Sequence, residues 1–368
     1  MAAALQEWLD RLNPEAVICH WVDEYVTHLL SILARRRGVR FVGYAYSLFP
    51  GLLQLTSNAN GDAFDIRTPS SNEVEEAIAA LMKPFFRQDY NQRLNYSLRR
   101  HVLGIGRYYV KRIVFLAKGY LERDPLHVHY AITPYLAERR SIRDFPSANC
   151  FSNDWKSELT SLRKKSSSPT VYIPLAYFPE AAIDYWIKDK SIIDYENKMV
   201  EIVAAISRGC VVAIKEHPHM LGARNPDFYK RVGSIPNVVM IPPLEYSAEV
   251  MASSDAVLLG AGSVGIEAAL HDKPIFTFSN TSYWFARSGA VYLDLASIGN
   301  WAERIVEALK SARPLSKGEK HEFIKACLGC TVFLAPVGDA GHSSIRSTSR
   351  CCLRPCERSR SCRALLPQ

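Results

Sequence analysis

Three short stretches in the second half of the chain combine residue types that handle anions. Lys215-Glu216-His217-Pro218 puts a lysine and a histidine at the end of an apolar run, with a proline that stops the run. A histidine so placed can give a phosphate a hydrogen bond or a positive charge; it can equally be an ordinary solvated loop residue. The run Gly260-Ala261-Gly262-Ser263-Val264-Gly265-Ile266-Glu267 offers small residues that let backbone approach a ligand. Ser263 is placed to cap a following helix, whose first N–H groups attract an anion. Glu267, one turn in, can accept from ribose hydroxyls. The structural alternative for this run is a plain helix cap. Pro242-Pro243-Leu244-Glu245-Tyr246-Ser247 can offer backbone groups to a nucleobase edge or be a simple connection. A fourth stretch, Tyr172 to Glu180, contains Pro179 and Glu180 and is expected to face a cleft between domains. Gly260, Gly262 and Gly265 match the dinucleotide-binding spacing, a weak signal alone. No acid ends the next apolar run, KPIFTFSN, which disfavours NAD.

These stretches need a frame, and the hydrophobic pattern supplies one. TVYIPL, CVVAIKEHP, NVVMIPP, DAVLLGA, KPIFTF and AVYLDL read as buried strands. Helical segments alternate with them: IDYENKMVEIVAAISRG, SAEVMASS, SVGIEAALHD and ASIGNWAERIVEALKS. Such alternation predicts a doubly wound parallel sheet that binds ligands at the carboxyl ends of its strands. Near the start, AVICHWV, VTHLLSILARRRG and VRFVGYAY predict a strand–helix–strand unit with a parallel pair. It begins early for a complete nucleotide-binding half, so the first domain is expected to be incomplete. Residues from about Asn72 to Arg123 read as mostly helical with a break at Pro84, and HVHYAIT reads as a strand. The polar stretch Leu162 to Pro169 is the expected linker. The expected division is therefore 1–165, 166–330 and a tail, 331–368.

The chain has 368 residues, 48 % hydrophobic and 22 % charged, with a net charge of +8. That is a globular composition. The sequence shows neither an apolar run of membrane-spanning length nor a secretory signal, so a soluble cytoplasmic protein is expected. The positive charge is concentrated between Arg87 and Arg123, with nine Arg/Lys against two acids, and in the tail. A general affinity for nucleic acid is therefore not expected. Tyr108, Tyr109, Phe115 and Tyr120 interleave the basic segment, which suits either a solvated helix face or contact with anionic lipid or glycan. Six of the nine cysteines lie in the last 42 residues, including the pair Cys327 and Cys330. Their spacing is compatible with zinc, but the tail lacks apolar periodicity and its basic residues are all Arg. A disordered, non-native tail is the favoured reading, and no metal site is expected.

The series VYIPLAYFPE, KEHP, PPLEYSAE and GAGSVGIEAALHDKPIFTF resembles the capsule polysaccharide biosynthesis family. That family includes Kdo-transferase-like glycosyltransferases with the GT-B fold of two Rossmann-like domains. The resemblance runs from about Thr170 to Lys310, and loosely over residues 13–60. It implies a transferase that moves a sugar, Kdo from a CMP-sugar, to a glycan or glycolipid acceptor. It implies that the histidine of the His217-Pro218 pair and Ser263, with Gly262 and Val264, hold the donor's phosphate; Lys215, Glu245 and Glu267 join the candidate donor site by their places in the same stretches, with Pro179 and Glu180 in the cleft. Tyr177-Phe178 replace a polar pair of the family pattern, which puts the contacts of that stretch in question. In this fold a helix dipole and basic side chains can neutralise the leaving phosphate without metal or other cofactor. A carboxylate base is needed on the acceptor side, and Asp23 and Glu24 are the candidates. Contact with the cytoplasmic face of the inner membrane fits such chemistry. A non-catalytic component of capsule assembly or export, a polyol-phosphate transferase and a nucleotide-sugar epimerase are the alternatives.

Overall fold

The computed structural model describes residues 1–20, 25–49, 51–57, 65–83, 98–122, 143, 150–177, 182–222, 224–279 and 289–333. Helix α1 (Ala2–Leu12) precedes β1 (Ala16–His20), α2 (Tyr25–Arg36) and β2 (Arg40–Tyr46). β1 and β2 pair in parallel, giving the expected crossover unit. Its apolar residues Leu9, Val17, Leu30, Leu33 and Phe41 form one small core. A strand absent from the sequence reading follows: β3 (Leu52–Thr56) pairs antiparallel with β2. The turn between them uses Gly51 at a φ of +71°, a left-handed backbone that suits glycine. α3 (Ser71–Leu81) starts with a reciprocal Ser70–Glu73 capping box, and α4 (Leu98–Glu122) is a long helix.

α5 (Trp155–Ser166) leads into the larger sheet. Its strands are β4 (Thr170–Pro174), β5 (Val211–Lys215), β6 (Val238–Ile241), β7 (Ala256–Leu259), β8 (Ile275–Thr277) and β9 (Val291–Tyr292). All pair in parallel, in the order β6-β5-β4-β7-β8-β9. This is the doubly wound, Rossmann-like order, with its switch point between β4 and β7. The strands are apolar on both faces because both are covered. Val171, Ile173, Val212 and Ile214 face α6 (Tyr195–Ile206) and α7 (Pro226–Gly233). Tyr172, Val211 and Ala213 share the other face's core with α5, α8 (Ser247–Ala252) and α9 (Val264–Leu270). α10 (Trp301–Ser311) returns to the first of these cores through Trp301 and Ile305.

Two expected boundaries move. The linker at Leu162 to Pro169 is helical as far as Ser166 and ends at Ser167, whose φ is +53°. α5 buries Trp155 and Leu159 in the core of the larger sheet, so its polar face misled the reading of periodicity. At the other end, α11 (Lys317–Gly329) and β10 (Thr331–Phe333) return to the first sheet. β10 pairs antiparallel with β3, and Thr331, where the sequence leads one to expect a disordered tail, is buried. Arg67 fixes this return by donating from Nε to the Thr331 carbonyl at 3.1 Å, while the Ile66 and Arg67 N–H groups donate to the Gly329 carbonyl. Cys327 packs in the core and the Cys330 thiol donates to the Ala326 carbonyl at 3.3 Å, so both are accommodated as buried thiols. HVHYAIT, Pro84 and residues from 334 onward lie outside the described residues.

Deleting residues 334–368 should leave the melting temperature within error, because that sequence offers no periodic apolar face to bury. Deleting from Thr331 should lower it by several degrees, since it removes a sheet edge and the partners of Arg67, at about 1 kcal/mol per hydrogen bond. Equal melting temperatures for the two truncations would contradict the role given to β10.

Candidate functional site

The four stretches singled out in the sequence leave the carboxyl ends of β4, β5, β6 and β7, four neighbouring strands. The loops after β4 and β7 flank the switch point, where the crossovers diverge to opposite faces and open a crevice. Lys215 is the last residue of β5 and is buried. His217 follows on the rim, and Pro218 opens a short 3₁₀ turn to Met220. The His217 ring meets the Tyr177 ring edge-on at 5.8 Å, so the loops after β4 and β5 touch.

A buried network that the sequence reading missed sets this geometry. Glu216 and Arg224 both have fully buried side chains. Arg224 donates to Glu216 from Nε at 2.6 Å and from Nη2 at 3.1 Å. Tyr229 Oη donates to the same carboxylate at 2.9 Å, and the His217 backbone N–H at 2.6 Å. Arg224 Nη2 also donates to the Ala176 carbonyl at 2.8 Å, while the Ala176 N–H donates to Tyr195 Oη at 2.8 Å. The guanidinium lies over the rings of Tyr195 and Phe228. Burial opposes the charge on Arg224, but the Glu216 carboxylate outweighs it and raises the guanidinium's pKa. The only sequence signal was an acid inside KEHP and an arginine eight residues later, which hydrophobic periodicity does not pair.

The glycine-rich run divides between two tasks. A Cβ on Gly260 would run into the ring of Phe278, so this glycine serves packing. Gly262 has a φ of +117° and a Cβ there would meet nothing within 4 Å among the described residues, which leaves an open turn at the crevice. Ser263 occupies the N-cap position of α9 but has helical dihedrals, and its side chain makes no capping bond. The expected hydroxyl cap is thereby corrected: a residue already at φ −66°, ψ −23° cannot aim its Oγ at the following N–H groups as an extended N-cap residue does. Val264 starts α9, and Glu267 lies one turn in. Burial raises the Glu267 carboxyl to about 7, partly offset by the attraction of Lys215. The end of β5 and the first turn of α9 are thus within electrostatic reach of each other. Tyr172 Oη donates to Ser247 Oγ at 3.3 Å beneath the loop after β6. Glu245 closes the turn after β6 through its N–H to the Pro242 carbonyl and lies within electrostatic reach of Lys156. Asp23, Glu24, Pro179 and Glu180 lie outside the described residues.

No family model matches the chain. A search of curated proteins found no match. Among solved structures, a KpsC from Thermosulfurimonas dismutans, a beta Kdo 2,7 transferase, is 12 % identical. The match covers 91 % of this chain and 83 % of that one, with a TM-score of 0.37. A complex of S. aureus MnaA with UDP is 10 % identical over 89 % of this chain and 76 % of that one, at a TM-score of 0.31. A Methanocaldococcus jannaschii UDP-GlcNAc 2-epimerase in complex with UDP-GlcNAc and UDP is 10 % identical over 89 % and 79 %, at a TM-score of 0.31.

Two predictions follow the geometry. Arg224→Met strands the Glu216 carboxylate and should cost about 3–5 kcal/mol in urea unfolding. Adding Glu216→Leu should recover part of that loss; a double variant less stable than Arg224→Met alone would contradict the coupling. For Glu267 the folded-state value, about 7, is above the ordinary 4.5. Its contribution to stability is therefore complete below about 4.5 and lost as the pH rises through 7. Glu267→Gln should match the wild type in melting temperature at pH 4 and exceed it at pH 8. A difference that does not change with pH would show that the carboxyl is not desolvated.

Proposed function

We propose that the chain is a nucleotide-sugar-dependent glycosyltransferase of capsular or other surface polysaccharide biosynthesis, using a CMP-linked donor such as CMP-Kdo and a glycan or glycolipid acceptor. The observation that carries this reading is that Lys215 and His217 at the end of β5 and the open Gly262 turn after β7 lie at the same carboxyl edge, on the two strands that flank β4 beside the switch point. In a doubly wound sheet that edge receives nucleotides. Lys215 and His217 would meet the donor phosphate from the β5 side, and the backbone N–H groups of Gly262, Ser263 and Val264 from the β7 side. Glu267 would take the ribose hydroxyls, and the loop from Pro242 to Glu245 the base. Pro218 ends the extended run and turns the chain so that His217 stays on the rim.

The chemistry asked of these residues is electrostatic. Glycosyl transfer leaves negative charge on the nucleotide phosphate, and fixed positive groups that need not reorganise stabilise it. The acceptor hydroxyl needs a carboxylate to take its proton, a role proposed for Asp23 or Glu24. Pro179 and Glu180 are proposed to line the cleft. In this reading the protein works in the cytoplasm against the inner membrane, where a glycolipid acceptor is presented.

The test is nucleotide binding by the full chain. CMP should raise the melting temperature more than UDP or CDP does. His217→Ala removes a charge-assisted bond of roughly 1.5–3 kcal/mol and should weaken CMP binding about ten- to a hundredfold in calorimetry, with stability nearly unchanged. Unchanged affinity in that variant would remove His217 from the donor site. A response to UDP and not CMP would reject the CMP-linked donor.

A further inference from the structure

α4 turns an apolar face away from the protein. At 3.6 residues per turn, Leu103, Val110, Ile113, Val114, Tyr120 and Leu121 fall on one side of the helix, spanning about 120°. All six are exposed: Val110 by 63 %, Ile113 by 68 %, Leu121 by 78 % and Tyr120 by 82 %. Tyr108, buried, and Phe115, half-buried, lie on the opposite side. Arg107, Lys111 and Lys118 run as a strip along one border of the apolar face. The helix holds six Arg/Lys and one acid, Glu122. At about 1.5 Å per residue its 25 residues are about 37 Å long. No described helix is long and apolar enough to cross a membrane.

We propose that α4 is a docking helix for an anionic lipid bilayer, lying in the interface with its apolar face in the headgroup–acyl boundary and its basic strip on the lipid phosphates. Charge complementarity selects this occupant. A second copy of the chain would form a self-complementary contact and bring basic strips together with one acid per helix to offset them. A nucleic acid backbone would satisfy the strip and leave the apolar face in water. An anionic bilayer satisfies both, since apolar burial and attraction to acidic headgroups add in interfacial binding. The inference gives a physical means to the membrane contact in the functional reading above, and its test does not depend on nucleotide binding.

The experiment is co-sedimentation of the full chain with vesicles of phosphatidylcholine, alone and mixed with phosphatidylglycerol. The wild type should bind the mixed vesicles at least tenfold better than the neutral ones, and less well as salt rises. Val110→Asp with Ile113→Asp should abolish binding. Arg107→Gln with Lys111→Gln, at about 1 kcal/mol per charge, should weaken it about thirtyfold. All four positions are exposed, and the melting temperature of each variant reports whether its fold is kept, so the charge variant remains decisive if the apolar variant folds poorly. Equal binding to neutral vesicles, or binding unmoved by the charge variant, overturns the proposal. So does a dimer that forms without lipid and that the apolar variant dissolves.

Discussion

The buried pair of Glu216 and Arg224 is the constraint on which the carboxyl edge depends. Two charges removed from water cost several kcal/mol each, and attraction alone rarely returns that. Here the pair also resolves a backbone problem. Where β4 and β5 end, the Ala176 carbonyl and the His217 N–H leave the ladder inside the protein, and buried backbone groups need partners. Arg224 supplies a donor to the first and Glu216 an acceptor to the second. The loops after two neighbouring strands are thus held by one ion pair, with Tyr229 and Tyr195 extending it onto α7 and α6. An apolar pair of equal volume would pack, but would leave both backbone groups unpaired.

Because the pair fixes the Ala176 and His217 backbones, what it positions is more consequential than what it stabilises. His217 sits next to one of its hydrogen-bonded atoms, and Tyr177 next to another, which explains why their rings meet. Across the switch point the requirement is the opposite one. At Gly262 nothing among the described residues crowds the place of a Cβ, and the left-handed φ disfavours any side chain there. The crevice therefore has one wall tied down by hydrogen bonds and one wall kept bare.

The larger sheet was legible because its signal is local and redundant. Apolar runs such as VVAIK and AVLL, each followed by a helical period, identify buried parallel strands without knowledge of their partners. The strand order follows from the crossover rules, and the ends of those strands point to the site. What was not legible depended on distant pairing. β10 is three residues whose assignment rests on β3, more than 270 positions earlier, and on the carboxyl-side return of α11. The end of α5 reads as a polar linker because the helix's buried residues, Trp155 and Leu159, lie before it and Leu162 alone of its own residues packs against the core, partly buried. Gly260 and Gly262 look alike in sequence; only the neighbouring Phe278 ring separates a packing glycine from one that leaves space.

Charge plays two physically different parts in this chain, and the net value of +8 describes neither. Buried charge acts over a few ångströms, where a missing partner is ruinous and the geometry is consequently fixed; Glu216 with Arg224 is of this kind. Charge on an exposed helix acts over about a Debye length, some 8 Å at physiological salt, and leaves the fold indifferent to single substitutions. The α4 strip is of this second kind. Lys215 and Glu267 fall between them. The burial of Lys215 and the partial burial of Glu267 make each sensitive to the other, and desolvation has already brought the carboxyl to about 7. An anion arriving between the loops after β5 and β7 would gain from Lys215 and be opposed by ionised Glu267. Protonation of Glu267 would remove that opposition, which is the physical sense in which a buried carboxyl and a neighbouring lysine stand between the two kinds of charge.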